Sequence, residues 1–343
     1  MILFVNDYQE GCLPEILQKM ADCNHEQNAG YGLDRHSENA RELIRKKIEN
    51  PNADVHFVTG GTLTNKLVIT TFLKGYEGVL CPDTAHIATH ETGAIEQGGH
   101  KVLTLKNANG KITAEQVESA VNEHIAGLSR EHTVKPGMVY VSQSTEIGTI
   151  YSLAELKALS LVCKKHGLLF FIDGARLLTA LFSKPCDFTL KDICGLCDLF
   201  YIGGTKAGAL FGEALVICND KLKGEFRYAL KQNGALLAKG FALGIQFEGL
   251  MQEDAYAKYL KNAVKYADAI RDALKNKGIA LENESYDTQT FAIFTQKQYE
   301  KLAKSFNFGG ATVINGLYHA RICTSWATKE DAVNKLIKAI NEL

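Results

Sequence analysis

Hydrophobic and polar positions along this chain fall into two alternating textures. Short apolar runs, rich in aromatic and β-branched residues, end at small or charged residues. They cover Val55 to Val58, Val79 to Cys81, Lys101 to Leu105, Met138 to Val141, Leu168 to Ile172 and Leu199 to Ile202. Between most of them, apolar residues recur at helical spacing. These stretches include Asn39 to Ile48 (closed by Asn50-Pro51), Leu63 to Leu73, Ala114 to Ile125 and Leu153 to His166. Runs apolar on both faces read as buried parallel strands, and their alternation with helices predicts an α/β fold, a mostly parallel central sheet with helices on both faces. Ala214 to Cys218 is a further strand, expected to be the antiparallel member of a mixed sheet.

From about Phe247 the texture changes. A long helical stretch runs from Gln252 to Lys277, with Tyr256, Tyr259, Leu260, Val264, Ala267, Ile270 and Leu274 on one face as core packing. Strands near Thr290 to Phe294 and Ala320 to Thr324 and a last helix from Lys329 to Ile340 follow. The expected division is a large domain over residues 1–246 and a smaller C-terminal α+β domain over 247–343, with no internal repeat or low-complexity linker.

Composition narrows the class without choosing a function. A chain of 343 residues, 46% apolar and 22% charged, is ordinary for a globular protein. Its formal net charge of −1 argues against a nucleic-acid surface. No apolar run reaches the length of a membrane span, and the start Met1-Ile2-Leu3-Phe4-Val5-Asn6-Asp7 has no basic segment, so a cytoplasmic protein is expected. Nine cysteines at irregular positions form no disulfide framework. Cys194-Gly195-Leu196-Cys197 lacks the second pair that a zinc site needs, so buried thiols and no metal site are expected.

The candidate chemistry lies where two apolar runs stop. Phe170-Phe171-Ile172 ends at Asp173-Gly174-Ala175-Arg176, and Tyr201-Ile202 ends at Gly203-Gly204-Thr205-Lys206-Ala207-Gly208. An acid and a lysine at the carboxyl ends of buried strands fit a pyridoxal-phosphate site, since that cofactor needs a lysine for its Schiff base and an anion for its pyridinium nitrogen. A carboxylate at the end of an apolar strand requires a cation: the pyridinium is one, and Arg176 would be another. The small residues around Lys206 would let a flat ring approach the amine, and burial would lower the lysine's pKa. Gly60-Gly61-Thr62, between a strand and a helix, would seat a phosphate on free N–H groups. His86, after Pro82-Asp83-Thr84-Ala85, would stack on a ring or exchange protons. Arg176 and Arg321 are candidate forks for a substrate carboxylate.

With these residues in place, the chain resembles the threonine aldolase and β-eliminating lyase family of pyridoxal-phosphate enzymes, which have the aspartate-aminotransferase (type I) fold. The resemblance runs from Phe4-Val5-Asn6-Asp7 nearly to the C-terminus. It includes Gly30-Tyr31-Gly32-Leu33-Asp34, Gly60-Gly61-Thr62-Leu63-Thr64-Asn65, Asp83 to His86 with Glu91 and Gly93, Asp173 to Arg176, Lys206 and Arg321. It implies that Lys206 carries the cofactor, Asp173 holds its ring nitrogen, His86 stacks on it, Gly61 and Thr62 seat its phosphate, and Arg176 with Arg321 binds the substrate carboxylate. It also implies homotetramers built from tight dimers, with Tyr31 and Lys231 acting across a subunit boundary. Asn6 and Gly60 stand where the family usually has serine, and Thr145-Glu146-Ile147-Gly148 stands where familiar threonine aldolases have Thr-His-Asn-Gly.

The expected reaction is retro-aldol cleavage of a β-hydroxy-α-amino acid to glycine and an aldehyde. His86, or a water it holds, would take the hydroxyl proton, with Glu146 a second candidate base. β-Elimination, racemisation or transamination of another amino acid would use the same scaffold, as would a non-catalytic amino-acid sensor.

Overall fold

A computed structural model describes residues 1–343. Its central sheet has seven strands in the order Asp54–Val58, Glu213–Ile217, Leu199–Gly203, Leu169–Asp173, Lys135–Ser142, Glu77–Pro82 and Val102–Leu105. The Glu213–Ile217 strand runs antiparallel to both neighbours, while the pairs on the other side are parallel. The mixed sheet read from the sequence is therefore present, with its antiparallel strand inside the sheet.

Side chains along the strands alternate between two cores, as the two-residue period requires. Phe170 and Ile172, Phe200 and Ile202, and Val139 and Val141 join one hydrophobic cluster. Phe171, Leu199, Tyr201, Met138 and Tyr140 join the cluster on the opposite face. Helices cover both faces, which is why these strands are apolar throughout. Capping defines several helix starts. The helix Leu153–His166 begins with a capping box between Ser152 and Glu155 and ends at Gly167 in the left-handed region. The expected helix at Asn39 starts earlier, at Arg35, because Asp34 accepts a hydrogen bond from the Ser37 N–H.

The C-terminal part is built on a four-stranded antiparallel sheet ordered Thr312–Ile314, Leu317–Cys323, Gln289–Thr295, Ala280–Leu281. The helices Ala255–Asn276 and Glu330–Asn341 pack on it. Ile2–Leu3 pairs in parallel with Phe306–Asn307, and Phe4 is buried in the C-terminal cluster, so the first residues of the chain are built into its last part. The expected 252–277 helix begins with a 3-10 turn at Gln252–Asp254, preceded by a separate buried helix, Phe241–Met251, absent from the sequence reading. Tyr256 and Leu260 on the long helix belong to the large core and Ile270 and Leu274 to the small one, so this helix ties the two together. No helix is long and apolar enough to cross a membrane.

Candidate active site

Asp173, Lys206 and Gly60 all lie at the same edge of the sheet, because each follows a strand that runs in the same direction. A cavity of about 350 Å³ opens there. Gly60, Gly61, Thr62, His86, Glu146, Asp173, Arg176 and Lys206 all line it. Asn6, Tyr31 and Arg321 do not. Asn6 accepts from the Tyr8 N–H, and Arg321 donates to Gln289 Oε1 (3.3 Å) and to the Val5 carbonyl (3.2 Å). Tyr31 is exposed, with Lys231 Nζ 4.8 Å from its ring centre.

Asp173 is held by four donors. Asn65 Nδ2 (3.1 Å) and the Tyr140 hydroxyl (2.5 Å) donate to Oδ2, and the Tyr201 hydroxyl (2.5 Å) and the Ala175 N–H (2.9 Å) donate to Oδ1. The strand period explains the two tyrosines. Tyr140 pairs with Phe171 in register and Tyr201 lies on the far side of Phe171, so all three rings share the face from which Asp173 projects two residues later. Burial, then the Asp173 charge, pushes both phenols well above their ordinary pKa, which keeps them as donors. Sequence reasoning missed this pair. Its available signal was a polar tip at matching positions in two otherwise apolar strands.

Arg176 does not pair with Asp173. Its Nε (2.7 Å) and Nη2 (3.1 Å) donate to the two oxygens of buried Asp7, 169 residues away in sequence. Burial alone would raise the Asp7 pKa, but Arg176 and Lys206 outweigh it and hold the carboxyl below its ordinary value. The bidentate geometry fixes Arg176 in the cavity wall and leaves Nη1 uncommitted.

Lys206 is the opposite case, since it takes part in no hydrogen bond or ion pair. Burial, followed by the Arg176 charge, lowers its pKa despite nearby Asp7, Asp173 and Glu213. The small residues around it have a reason other than ring access. A Cβ on Gly203 would come within 2.4 Å of the Ala175 carbonyl oxygen, so the backbone itself is crowded at that point. At the opposite wall, Gly61 opens the helix Gly61–Phe72, whose first N–H groups have no intrahelical acceptor. A Cβ there would sit 3.1 Å from the Tyr201 hydroxyl, so glycine keeps the helix start close to the Asp173 network.

His86 Nδ1 lies 2.8 Å from Glu91 Oε1, which also accepts from Asn65 Nδ2 at 2.8 Å. The Glu91 bond is the main cause of a raised His86 pKa, against burial. Glu146 faces the cavity, its Oε1 accepting from the His86 N–H (2.8 Å) and the Ser142 hydroxyl (2.6 Å). Burial and, more weakly, Asp173 raise its pKa.

Residues 5–320 match the model of the beta-eliminating lyase family, and the chain belongs to that family. It is 33% identical over 343 residues to the low specificity L-threonine aldolase of Pseudomonas sp. (strain NCIMB 10558), covering 97% of this chain and 95% of that one. The structure matches that of a threonine aldolase from Leishmania major with a TM-score of 0.96 and 44% identity, covering 100% of this chain and 99% of the other. An aspartate aminotransferase from Thermus thermophilus matches at a TM-score of 0.71 and 14% identity over 100% of this chain and 91% of that one, a likeness of fold alone.

Proposed function

We infer that this protein is a pyridoxal-phosphate-dependent lyase of the threonine aldolase type, cleaving a β-hydroxy-α-amino acid such as threonine or allo-threonine to glycine and an aldehyde. One observation carries the reading: an unpaired lysine, a fully hydrogen-bonded aspartate and a glycine-rich helix start share one cavity, in a chain similar over its length to threonine aldolases. The donor set fits the cofactor, with an amine for its aldehyde, a carboxylate for its ring nitrogen and free N–H groups for its phosphate.

Bound there, pyridoxal phosphate supplies an electron sink for the pair left by Cα–Cβ cleavage. Lys206 is its point of attachment. Gly60, Gly61 and Thr62 would hold the phosphate, and Asp173, oriented by its four donors, would face the ring nitrogen. Arg176, steadied by Asp7, would orient the substrate carboxylate, with Arg321 and Asn6, which lie outside the cavity lining, supporting it. His86 covers the ring. Its Nδ1 is engaged with Glu91, so Nε2 is the ring nitrogen left to exchange a proton. Glu146, whose pKa burial raises, would take the substrate hydroxyl proton together with His86.

Residues 1–246 provide the cofactor cavity and residues 247–343 the Arg321 side of the substrate site. The reading includes a cytoplasmic homo-oligomer, a tetramer of paired subunits, in which exposed Tyr31 and Lys231 serve a neighbouring copy's cavity; their position outside their own cavity supports this.

Release of glycine and acetaldehyde from L-threonine and L-allo-threonine by the cofactor-saturated protein tests the activity. Pyruvate and ammonia in their place would overturn carbon–carbon cleavage in favour of elimination. Glu146→Gln should lower cleavage roughly tenfold or more while cofactor binding is retained. Unchanged turnover in that variant removes Glu146 as a base.

A further inference from the structure

The cavity wall holds a carboxyl that the mechanism above does not use. Glu213 opens the antiparallel strand Glu213–Ile217 and pairs in register with Gly203, the residue at which the Lys206 turn begins. Topology thus brings the lysine and this carboxyl, seven residues apart, into the same cavity. Glu213 is 5% exposed. Its Oε1 accepts from the Thr205 hydroxyl at 3.2 Å, while its Oε2 is buried with no hydrogen-bond partner. Buried acceptors are nearly always satisfied, so an orphaned carboxyl oxygen in a cavity wall calls for a function. Lys206 is likewise unpartnered, and the two groups do not form an ion pair within 4.0 Å.

We propose that Glu213 is the proton acceptor for Lys206, taking the ammonium proton from Nζ onto Oε2 so that the lysine meets its cofactor as a neutral amine. The step needs no co-reactant. One N–H bond breaks and its electron pair stays on nitrogen as the nucleophilic lone pair, while one O–H bond forms and the carboxylic acid stores the proton. The flexible lysine stem closes the gap. Two charges held apart suffer desolvation without a direct contact to offset it, which favours the neutral pair. Burial raises the Glu213 carboxyl and lowers the lysine, both toward the neutral pair. The groups facing Glu213 are Lys206, Asp173, Tyr201 and the Thr205 hydroxyl; those facing Lys206 are Arg176, Asp7, Asp173 and Glu213.

This inference rests on the cofactor reading, and a single experiment separates the two. Full-length protein stripped of cofactor is mixed with pyridoxal phosphate, quenched with borohydride at timed intervals, and the modified Lys206 peptide is quantified by mass spectrometry between about pH 6.5 and 10. In Glu213→Gln, attachment at neutral pH should slow by roughly tenfold or more and approach the wild-type rate near pH 10, where solvent deprotonates the amine. Glu213→Asp, which keeps an acid, should restore most of the neutral-pH rate. Attachment in Glu213→Gln that is unchanged, or faster, at neutral pH would overturn the proposal. Faster is the result of removing an anion that merely raises the lysine pKa. Equal slowing at every pH, with no rescue by aspartate, would mark a structural role and also overturn it. No attachment in the wild-type protein would overturn the cofactor reading itself.

Discussion

Two groups of charged side chains, each built around a buried member (His36 in one, Glu213 in the other), are treated in opposite ways. At the junction of the Arg35–Lys47 and Phe241–Met251 helices every charge has a partner. His36 Nδ1 lies 2.6 Å from Glu248 and Nε2 2.7 Å from Glu26, while Lys19 meets Glu248 at 3.1 Å and Arg35 meets Glu26 at 2.6 Å. In the cavity, Lys206 and one oxygen of Glu213 have no partner. The pKa directions follow. Burial would lower His36, but its two carboxylates outweigh burial and raise it, and Glu26 and Glu248 are lowered in return. Burial wins in the cavity, where Glu146 and Glu213 rise and Lys206 falls. Pairing with opposite charge holds groups charged and ties helices together, whereas burial without such a contact pushes groups toward neutrality.

The largest expected break in this contrast is at Lys206. Lys206→Met should abolish borohydride-trapped cofactor and leave cleavage below about 1% of wild type. The same change removes an unpaired, partly buried amine, so the cofactor-free variant should unfold at a higher temperature than cofactor-free wild type, by a difference on the order of 1 kcal/mol. A lower melting temperature would show that the lysine is better compensated than its contacts suggest.

His36→Ala should do the reverse. Loss of the cation between two carboxylates should cost about 3 kcal/mol, read as a lower urea midpoint, with the trapped-cofactor yield of the folded protein unchanged. A loss under about 1 kcal/mol would mean that water and Lys19 replace the imidazole.

Tyr140→Phe and Tyr201→Phe each remove one donor from Asp173 and should each lower stability by about 1.5–3 kcal/mol. With the cofactor bound, its visible absorption should change with pH differently from wild type, because each tyrosine hydroxyl donates directly to the carboxylate proposed to face the ring nitrogen. An unchanged titration in both variants would detach the tyrosines from the ring-nitrogen chemistry.

The smallest expected effect is on pH dependence. His36 has a folded pKa above its unfolded value, so its stabilisation is complete below about pH 6.5 and is lost as pH rises through the folded value. Urea midpoints should fall over that window in wild type and fall less in His36→Ala. Equal slopes would assign the pH dependence to other groups, His86 among them.

Much of the site was legible because strands end locally. Asp173 and Lys206 were visible as charged residues terminating apolar runs, and both line the cavity. The glycines near Lys206 were legible as small but not for their reasons: Gly203 is crowded against the Ala175 backbone and Gly204 against Phe247 and the Gly212 carbonyl. Arg176 was visible as a cation, yet the choice between Asp173 and a distant partner was not. That Tyr140, Tyr201 and Asn65 donate to Asp173 was not legible, because a donor is chosen by its neighbours in space on other strands and helices rather than by its neighbours in the chain.

By itself, then, the order of residues determined the alternating strand and helix pattern, the two-faced burial of the sheet, and the arrival of an acid and a lysine at strand ends. Those follow from periods of two and 3.6 residues and from the cost of burying charge. Tertiary structure alone decided which charges meet. It set Asp7 against Arg176, Glu248 against His36 and nothing against Glu213 Oε2. Hydropathy along a chain reports whether a side chain is buried; a pKa depends on what lies within a few ångströms, and those atoms come from residues far apart in sequence.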